Sequence, residues 1–291
     1  MDVLHAIDSD AWAGPFASDE QGDAVGALEQ GSILYFPHLN FTLRSGEERL
    51  LMPRVLDHGG KNVSLEPDGT LSHATLSGGT KDCLRGMMVR FSDAAAALVE
   101  TLFPTYRGRV DLGPTSFRPV EIEGRKARPL ADDTRLHVDA FPSVPMNGRR
   151  ILRVFANVNP DGKARLWNVG EPFADMARNI LPRAKPPIPG AAWFYAAVGA
   201  TVGRRTPYDE LMLGLHHGAK LDLAYQAKCP KTPIDFPPGA VWMCYTDQVV
   251  HATLKGQHAL EQTFYVPVGA MADPSRSPLR VLERMTGRRL V

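Results

Sequence analysis

The chain has 291 residues, of which 44% are hydrophobic and 22% charged, and its formal net charge is +1. These proportions exclude a disordered polyelectrolyte and predict enough apolar surface for a sizeable core. The nearly balanced charge gives no indication of a nucleic-acid-binding surface. Glycine and proline are frequent, with 26 and 24 residues, which indicates many turns and favours β structure.

The start of the chain and its cysteines indicate the compartment. The first residues are acidic where a secretory signal needs positive charge followed by an apolar run, so we expect no export. The longest nearly apolar stretch, residues 191–202, is shorter than the ~20 residues of a membrane helix. Cys83, Cys229 and Cys244 are widely spaced and predict neither a disulfide framework nor a thiolate zinc site. We therefore expect a cytoplasmic protein with reduced thiols.

The predicted elements of the first two thirds of the chain alternate between helix and strand. A capping residue followed by an alanine-rich run predicts a helix over residues 92–103, which Pro104 ends. Short β-compatible pieces follow up to residue 135, and residues 150–159 form a β-rich run. The pattern Thr206-Pro207 is a capping start with proline at the first helical position. It predicts a helix that continues to residue 228.

The last third of the chain returns to a β pattern. One strand is predicted over residues 240–253 and another over residues 258–267, with a turn at Gly256 between them. A final amphipathic helix is predicted from Pro278 to a glycine stop at Gly287. We therefore predict one domain over residues 1–291. Its predicted parts are an N-terminal extension (about 1–105), a β core (106–160 and 233–270), a largely helical insertion (161–232) and a C-terminal helix (271–291).

One cluster among the nine histidines has the spacing of metal ligands. His137 and Asp139 are two residues apart, so on a strand both side chains point to the same face. His251, at the end of a later predicted strand, is the best candidate for a third ligand. Two histidines and a carboxylate leave coordination positions open on a non-haem Fe(II) for a cosubstrate and O2. The alternative is a chance His-x-Asp pair with no metal role.

Other histidines do not extend this cluster. His216 and His217 are adjacent in a predicted helix, where neighbouring side chains diverge by about 100°. They cannot face one ion together, so we assign them no metal role. His258 follows the turn after His251 and is expected to be structural.

Several blocks occur in one order along the chain: GKNVSL, DTRLHVDAFPS, GRRILRVFANVNP, RLWNVGEPF, YDELMLGLHHGAKLDLAYQ and PPGAVWMCYTDQVVHATLKGQHALEQTFYVP. Together they resemble the Kdo hydroxylase family over roughly residues 30–270. That family belongs to the Fe(II)/2-oxoglutarate-dependent oxygenases. The resemblance implies a mainly β fold with α insertions, built on a double-stranded β-helix (jelly-roll) core. It also implies that His137, Asp139 and His251 are the iron ligands.

The resemblance further implies a reaction. Kdo (3-deoxy-D-manno-oct-2-ulosonic acid) in the inner core of lipid A would be hydroxylated at carbon 3 to give Ko. Fe(II), 2-oxoglutarate and O2 would be required, and succinate and CO2 would be released. Because histidine ligands must be neutral to bind a metal, activity should fall on acidification.

The cosubstrate requires a basic residue for its far carboxylate. Many 2-oxoglutarate oxygenases place an arginine shortly after the distal histidine, but the corresponding segment here reads LEQ. Some relatives use the strand after HxD, which offers Arg149, Arg150 and Arg153. Period-two alternation puts Arg150 on the apolar face of that strand, where a guanidinium needs an anion. We therefore prefer Arg150, with Arg153 as the alternative clamp or a substrate contact.

An acidic sugar on a phosphorylated lipid predicts further basic contacts. Residues of the family-like blocks are candidates for lining the pocket, and an arginine-rich run precedes His137: Lys61, Asn62, Arg165, Trp167 and Lys220, then Arg107, Arg109, Arg118, Arg125, Lys126 and Arg128. An ordinary pocket wall or solvated face is an equally good reading of each set. The terminal helix carries Arg276, Arg280 and Arg284, so it could lie on an anionic membrane leaflet or pack on its own domain.

Two other functions remain open from the sequence. One is a 2-oxoglutarate oxygenase that acts on a different small molecule or on a protein side chain. The other is a jelly-roll carbohydrate-binding module without turnover. Iron-dependent succinate formation separates the second from an enzyme, and product analysis with a Kdo-terminated lipid separates the first from a Kdo hydroxylase.

Overall fold

The computed structural model describes residues 2–58, 60–183 and 190–291. Within these ranges the chain forms eleven β-strands and seven α-helices. The strands are β1 (Leu4–Ala6), β2 (Ile33–Phe36), β3 (Val63–Leu65), β4 (Leu71–Ser72), β5 (Asp111–Arg118), β6 (Arg150–Asn157), β7 (Arg165–Val169), β8 (Thr232–Phe236), β9 (Val241–Tyr245), β10 (His251–Lys255) and β11 (Ala259–Val266). The helices are α1 (Ser18–Gln30), α2 (Gly78–Leu102), α3 (Phe173–Ile180), α4 (Ala191–Ala197), α5 (Pro207–Leu221), α6 (Leu223–Lys228) and α7 (Pro278–Thr286).

The strands of the described residues build two sheets that face each other. The larger sheet has the order β1-β2-β9-β6-β11-β5-β3-β4, and the smaller has the order β10-β7-β8. Only the β1/β2 pair of these sheets is parallel. Trp167 of the smaller sheet contacts Phe155 and Trp242 of the larger one, with ring centroids 5.1 and 5.8 Å apart. The mainly β architecture expected from the sequence is confirmed.

The larger sheet has one face against helices and one face toward the smaller sheet. On β6, Leu152 and Val154 pack in the core that α1 and α2 complete. The intervening Arg153 and Phe155 line a cavity between the two sheets. This division follows from the period of two along a strand. It places the chemistry of the molecule between the sheets and leaves the opposite face to packing.

The helix α5 begins as its sequence predicts. The Thr206 hydroxyl accepts a hydrogen bond from the Asp209 backbone N–H, and the Asp209 carboxylate accepts one from the Thr206 backbone N–H. Proline occupies the first turn, where its missing N–H has no cost. The helix ends at Leu221, and Asp222 caps the short helix α6. Lys220 is thereby held at the buried end of α5.

Helix α2 begins fourteen residues earlier than the alanine-rich run indicates, at Gly78. Leu84, Met87 and Phe91 are buried, and their spacing continues the apolar stripe toward the N-terminus. Ser92, predicted to cap the helix, is therefore a buried residue within it. The cause of the difference is tertiary packing against the larger sheet, which the local capping signal does not report.

Two boundaries of the predicted β core also differ. The run over residues 240–253 is two strands, β9 and β10, which belong to different sheets and are separated by a turn. The predicted helical insertion contains β7, a strand of the smaller sheet. That insertion also includes residues 184–189, which lie outside the described residues. The division of the chain into extension, core and insertion remains a prediction.

The C-terminal helix packs on its own domain. Leu279 and Leu282 of α7 are buried, and Gly287 ends the helix in the left-handed conformation with φ 68°. Ser277 caps it by accepting a hydrogen bond from the Arg280 backbone N–H. None of the helices in the described ranges has both the length and the apolar character needed to cross a bilayer.

Candidate metal centre

The fold brings together the three residues that the sequence singles out as metal ligands. His137 and Asp139 lie on an extended segment before β6, and His251 opens β10. The backbones of His137 and His251 pair through two hydrogen bonds of 3.0 and 2.9 Å, and the Asp139 N–H donates to the Thr246 carbonyl at 2.7 Å. As a result, the candidate ligand atoms of the three side chains lie within 4.8 Å of one another.

Both histidines are oriented by main-chain carbonyls. Nδ1 of His137 is 2.8 Å from the Arg135 oxygen, and Nδ1 of His251 is 2.8 Å from the Val249 oxygen. A carbonyl oxygen only accepts, so each Nδ1 carries the hydrogen and each Nε2 keeps a free lone pair. Burial lowers the pKa of both rings, which keeps them neutral. This is the state in which imidazole binds a metal.

The third side chain is an ionised carboxylate. Oδ1 of Asp139 is 3.6 Å from Nε2 of His137, and Oδ2 is 3.1 Å from Nη1 of Arg153. Burial alone would raise the pKa of Asp139, but the Arg153 guanidinium holds it well below its usual range. Two neutral imidazoles and one carboxylate fit a divalent first-row metal and leave coordination positions open.

A polar cavity of about 60 Å³ adjoins this centre. Its floor is aromatic, because the Trp167 ring stacks on His251 with centroids 5.0 Å apart and meets Phe155 edge-on at 5.1 Å. The remaining wall is mostly charged. The residues that line the cavity are Arg118, Asp133, His137, Asp139, Arg153, Phe155, Arg165, Trp167, His251, Thr253 and Glu261.

The structure corrects the preference for Arg150 as the cosubstrate clamp. The Arg150 side chain is fully buried on the helix-covered face of the sheet, with its guanidinium 3.7 Å from the Tyr245 ring centroid. Its Nε donates to Asp247 at 2.8 Å and its Nη2 to Gln248 at 2.6 Å. Alternation correctly places Arg150 on an apolar face, but that face is opposite the cavity, and Asp247 is the anion that the guanidinium needs.

Arg153, the alternative, does line the cavity, but its charge is already paired. Its Nη1 lies 3.1 Å from Asp139 Oδ2 and 3.0 Å from Glu261 Oε1. Arg118 is likewise held by Glu261, to which its Nη2 donates at 2.7 Å. Both guanidinium groups are therefore already ion-paired with carboxylates of the site in the absence of a ligand.

Arg165 forms no ion pair within the described ranges. Its Nη1 donates to the Gly256 carbonyl at 3.2 Å, and its buried Nε has no hydrogen-bond acceptor among the residues that the structure describes. Burial and the nearby charge of Arg118 lower the pKa of Arg165 to about 10. Glu261, Asp133 and Glu121 act on Arg165 without forming an ion pair with it. A buried cation without a directly paired anion is costly, so among the arginines of the cavity this guanidinium is the most available to an anionic ligand. Alternation within RLWNV, where Arg165 shares the buried face of Trp167, was the sequence signal for it.

The other residues singled out from the sequence lie in three different settings. His216 packs edge-on against His137, with centroids 5.2 Å apart, and its Nδ1 contacts the Val138 carbonyl at 2.7 Å. His217 faces a separate surface cleft near Arg183. His258 is buried and stacks over Phe117 with centroids 6.4 Å apart. None of the three belongs to the metal-ligand group that the described residues form.

The basic residues between Arg107 and Arg128, before His137, also lie in different settings. Arg107 donates to the Glu100 carbonyl and Arg109 to the Gly269 carbonyl, so both serve main-chain contacts. Arg118 lines the cavity, whereas Arg125 lies beside it and contacts the cavity residue Asp133. Of these four arginines, Arg118 and Arg125 therefore lie at or beside the cavity, whereas Arg107 and Arg109 do not.

Comparison with known proteins gives one consistent result. The family model of 3-deoxy-D-manno-oct-2-ulosonic acid (Kdo) hydroxylase matches residues 11–289. A solved structure of the Kdo hydroxylase KdoO, described as a non-heme Fe(II) alphaketoglutarate-dependent dioxygenase with alphaketoglutarate and Fe(III), is 43% identical. It covers 100% of this chain and 98% of its own, with a TM-score of 0.96. The cobalt(II) form of KdoO is 44% identical with the same coverage and a TM-score of 0.97. No curated protein sequence matches the chain.

Proposed function

The chain belongs to the Kdo hydroxylase family, and from this premise we propose how its residues carry out the reaction. It is a non-haem Fe(II)- and 2-oxoglutarate-dependent dioxygenase whose substrate is Kdo. We place the new hydroxyl at carbon 3, which converts Kdo to Ko. When bound, Fe(II) and 2-oxoglutarate supply the oxidative chemistry, in which O2 is consumed and succinate and CO2 are released.

The observation that carries the assignment of residues is the group His137, Asp139 and His251. Their ligand atoms converge within 4.8 Å, and main-chain carbonyls fix the hydrogen of each imidazole on Nδ1. We assign all three as ligands of Fe(II). Arg153 acts as a positioning residue, because its charge keeps Asp139 ionised and holds Oδ2 while Oδ1 faces His137.

We assign the far carboxylate of 2-oxoglutarate to Arg165. Guanidinium matches a carboxylate bidentately, and Arg165 is the cavity arginine whose charge the described carboxylates leave unpaired. Phe155 and Trp167, which contact each other and line the same cavity as Arg165, make part of its wall apolar. This environment strengthens the ion pair that the cosubstrate would form.

The acceptor that we propose is a lipid A precursor that carries Kdo, so the enzyme must reach a membrane surface. Leu279 and Leu282 of α7 are buried in the core, which leaves Met285, 37% exposed, as the exposed large apolar residue of that helix. Helix α4 and the turn after it expose Trp193, Phe194 and Val202, with 66%, 56% and 77% of each residue accessible. The Val202 N–H donates to Ser143 on the segment that follows Asp139, and Arg204 is exposed nearby.

We therefore propose peripheral contact of α4 with the anionic inner leaflet of the cytoplasmic membrane. Sedimentation with phosphatidylglycerol vesicles should fall for the double variant Trp193→Ser/Phe194→Ser. The variant Leu112→Ser, which removes an exposed leucine elsewhere, should bind as the parent does. If instead only Arg288→Gln/Arg289→Gln lowers binding, the contact lies at the C-terminus.

The decisive experiment for the function is product analysis. The protein is incubated with Fe(II), 2-oxoglutarate and a Kdo-terminated lipid A precursor, and the sugar is examined by mass spectrometry for one added oxygen. The added oxygen should appear only with all components present. Succinate without an oxidised sugar would indicate a different acceptor, and no succinate would indicate a carbohydrate-binding protein without turnover.

A further inference from the structure

A second group of charges lies beside the metal centre, around Asp133. Lys61 Nζ is 3.0 Å from Asp133 Oδ1, Arg125 Nη2 is 2.9 Å from Oδ2, and Lys220 Nζ is 3.9 Å from Oδ1. The cations come from three distant segments: the loop before β3, the loop after β5 and the end of α5. Burial would raise the pKa of Asp133, but Arg118, Lys61 and Lys220 outweigh it and hold the pKa far below its usual range.

Lys220 is the most unusual member of this group. Only 2% of the residue is accessible, and its ammonium donates to a single described acceptor, the Leu130 carbonyl at 3.2 Å. An ammonium has three hydrogens to donate, so the contact leaves it incompletely satisfied. Burial and the nearby charge of Lys61 lower the pKa of Lys220, and Asp133 and Asp139 offset only part of this effect. A buried and partly unsatisfied cation indicates that an anion completes the site.

The charge balance of the whole site points the same way. The residues that line the cavity carry balanced charge, with three arginines and three carboxylates: Arg118, Arg153 and Arg165 against Asp133, Asp139 and Glu261. Lys61, Arg125 and Lys220 contact Asp133 from beyond this lining and add three positive charges, of which the nearby Glu121 offsets one. Asp132, which also lies near Lys220, is itself paired with Arg135. The two charges of Fe(II) and the two of 2-oxoglutarate cancel, so binding of both leaves the surplus unchanged. The loaded site therefore still favours an anionic acceptor.

We propose that Lys61, Arg125 and Lys220 form the subsite for the carboxylate of the acceptor Kdo, an inference that rests on the proposed function. Asp133 is the internal counter-ion that holds the three cations together before the acceptor binds. In a 3-deoxy-2-ulosonic acid the carboxyl is carbon 1, only two bonds from carbon 3. Because Asp133 and His137 line the same cavity, an anchor on that carboxylate sets carbon 3 beside the metal centre.

The access to this subsite is from the solvent side. The side chains of Lys61 and Arg125 are 42% and 23% exposed, whereas that of Lys220 is 2% exposed. An incoming carboxylate thus meets Lys61 and Arg125 first and approaches the buried Lys220 last. The phosphates of lipid A carry the same kind of charge, so the test must separate the carboxylate from the phosphate.

The experiment measures equilibrium binding to the metal-loaded protein with 2-oxoglutarate under anaerobic conditions. The ligands are a Kdo glycoside and the matched glycoside in which the carboxylate is a carboxamide. The variants are Lys61→Met and Arg125→Met, and Lys163→Met, which alters an exposed lysine in the loop between β6 and β7, is the control. We expect each test variant to bind the acid more than tenfold more weakly, with 2-oxoglutarate affinity within threefold of the parent and no loss for Lys163→Met.

The carboxamide decides the assignment. It should bind the parent protein about as weakly as the acid binds Lys61→Met, and it should bind the test variants no more weakly than the parent. Equal weakening of both ligands by the substitutions would overturn the proposal. A loss of 2-oxoglutarate affinity would also overturn it, since the cations would then belong to the cosubstrate.

Turnover gives the second readout. With the Kdo-terminated lipid, the test variants should raise the acceptor KM by more than tenfold and leave the KM for 2-oxoglutarate near that of the parent. If binding depends on the carboxylate but no oxidised sugar is formed, the proposed function is wrong and the assignment of the subsite still holds. A normal acceptor KM in both variants would disprove the subsite and keep the function.

Discussion

Arg150 and Asp247 form a buried ion pair, with Nε 2.8 Å from Oδ2 and Nη2 3.2 Å from Oδ1. Asp247 lies in the turn between β9 and β10. The residue before it, Thr246, accepts the Asp139 N–H through its carbonyl, and His251 follows Asp247 by four residues. The pair therefore anchors, from the helix-covered face of the sheet, the turn that contacts Asp139 and leads into His251.

Arg150→Met should lower the free energy of unfolding by about 3–5 kcal/mol, because it leaves the Asp247 carboxylate buried without its partner. Arg149→Met is the matched control. Arg149 pairs with the exposed Asp111, and such surface pairs contribute about 1 kcal/mol or less. Urea denaturation of both variants measures the difference. Equal stability of the two would show that the Arg150 pair does not hold the turn.

His137→Ala, Asp139→Ala and His251→Ala should each abolish iron-dependent succinate formation, since each removes one of three protein ligands. His217→Ala, which alters a histidine outside the cavity, should retain activity. Metal content after dialysis against Co(II) and circular dichroism of each variant check that the loss follows the metal and not the fold. A variant that keeps full turnover removes its residue from the ligand set.

Arg165→Met should raise the KM for 2-oxoglutarate by more than tenfold, because losing one partner of a desolvated charge pair costs about 2–5 kcal/mol. Steady-state succinate formation over a range of 2-oxoglutarate concentrations measures it. Arg118→Met tests the neighbouring guanidinium, which Glu261 already pairs, and should have a smaller effect. The reverse order of the two effects would move the clamp to Arg118.

His216 should make the protein less stable as the pH falls. Burial lowers the pKa of His216 to about 4, whereas an unfolded histidine titrates near 6.5. Between these two pH values the unfolded chain binds more protons at this histidine than the folded chain does. The contribution of His216 to the free energy of unfolding is therefore fully present above about pH 6.5, and it falls by up to about 1.4 kcal/mol per pH unit below that value. Unfolding measured from pH 7 to pH 4 should show a shallower slope in His216→Gln. An unchanged slope would assign the pH dependence to other groups.

Local patterns in the sequence were sufficient for some elements and for the ligand set. The capping box at Thr206, the strand from Arg150 and the stop at Gly287 are set by neighbouring residues, and the structure confirms them. The spacing of His137 and Asp139 and the strand position of His251 predict residues that do converge. Their role as iron ligands stays a prediction until the metal is measured.

Long-range packing decided the rest. Alternation shows that Arg150 and Leu152 share a face, but it does not show which face α1 and α2 cover. Because the helices cover the face that carries Arg150, the preferred candidate for the 2-oxoglutarate clamp changes from Arg150 to an arginine of the cavity. Alternation within the five residues of β7 is too short to separate this strand from the predicted helical insertion, and β7 is defined by its partners β8 and β10. Lys61, Arg125 and Lys220 likewise meet at Asp133 only through the tertiary structure.

The groups that orient the two histidines belong to the main chain, since they are the carbonyls of Arg135 and Val249. Every amino acid supplies the same carbonyl, so replacement of either side chain leaves the acceptor in place while the backbone path is kept. The orienting role therefore places no demand on the side chains at positions 135 and 249, which make other contacts: Arg135 donates to the Lys220 carbonyl, and Val249 is buried in a hydrophobic cluster. A mutational scan of side chains would detect the loss of those contacts, but it would not reveal that the two carbonyls orient the ligands.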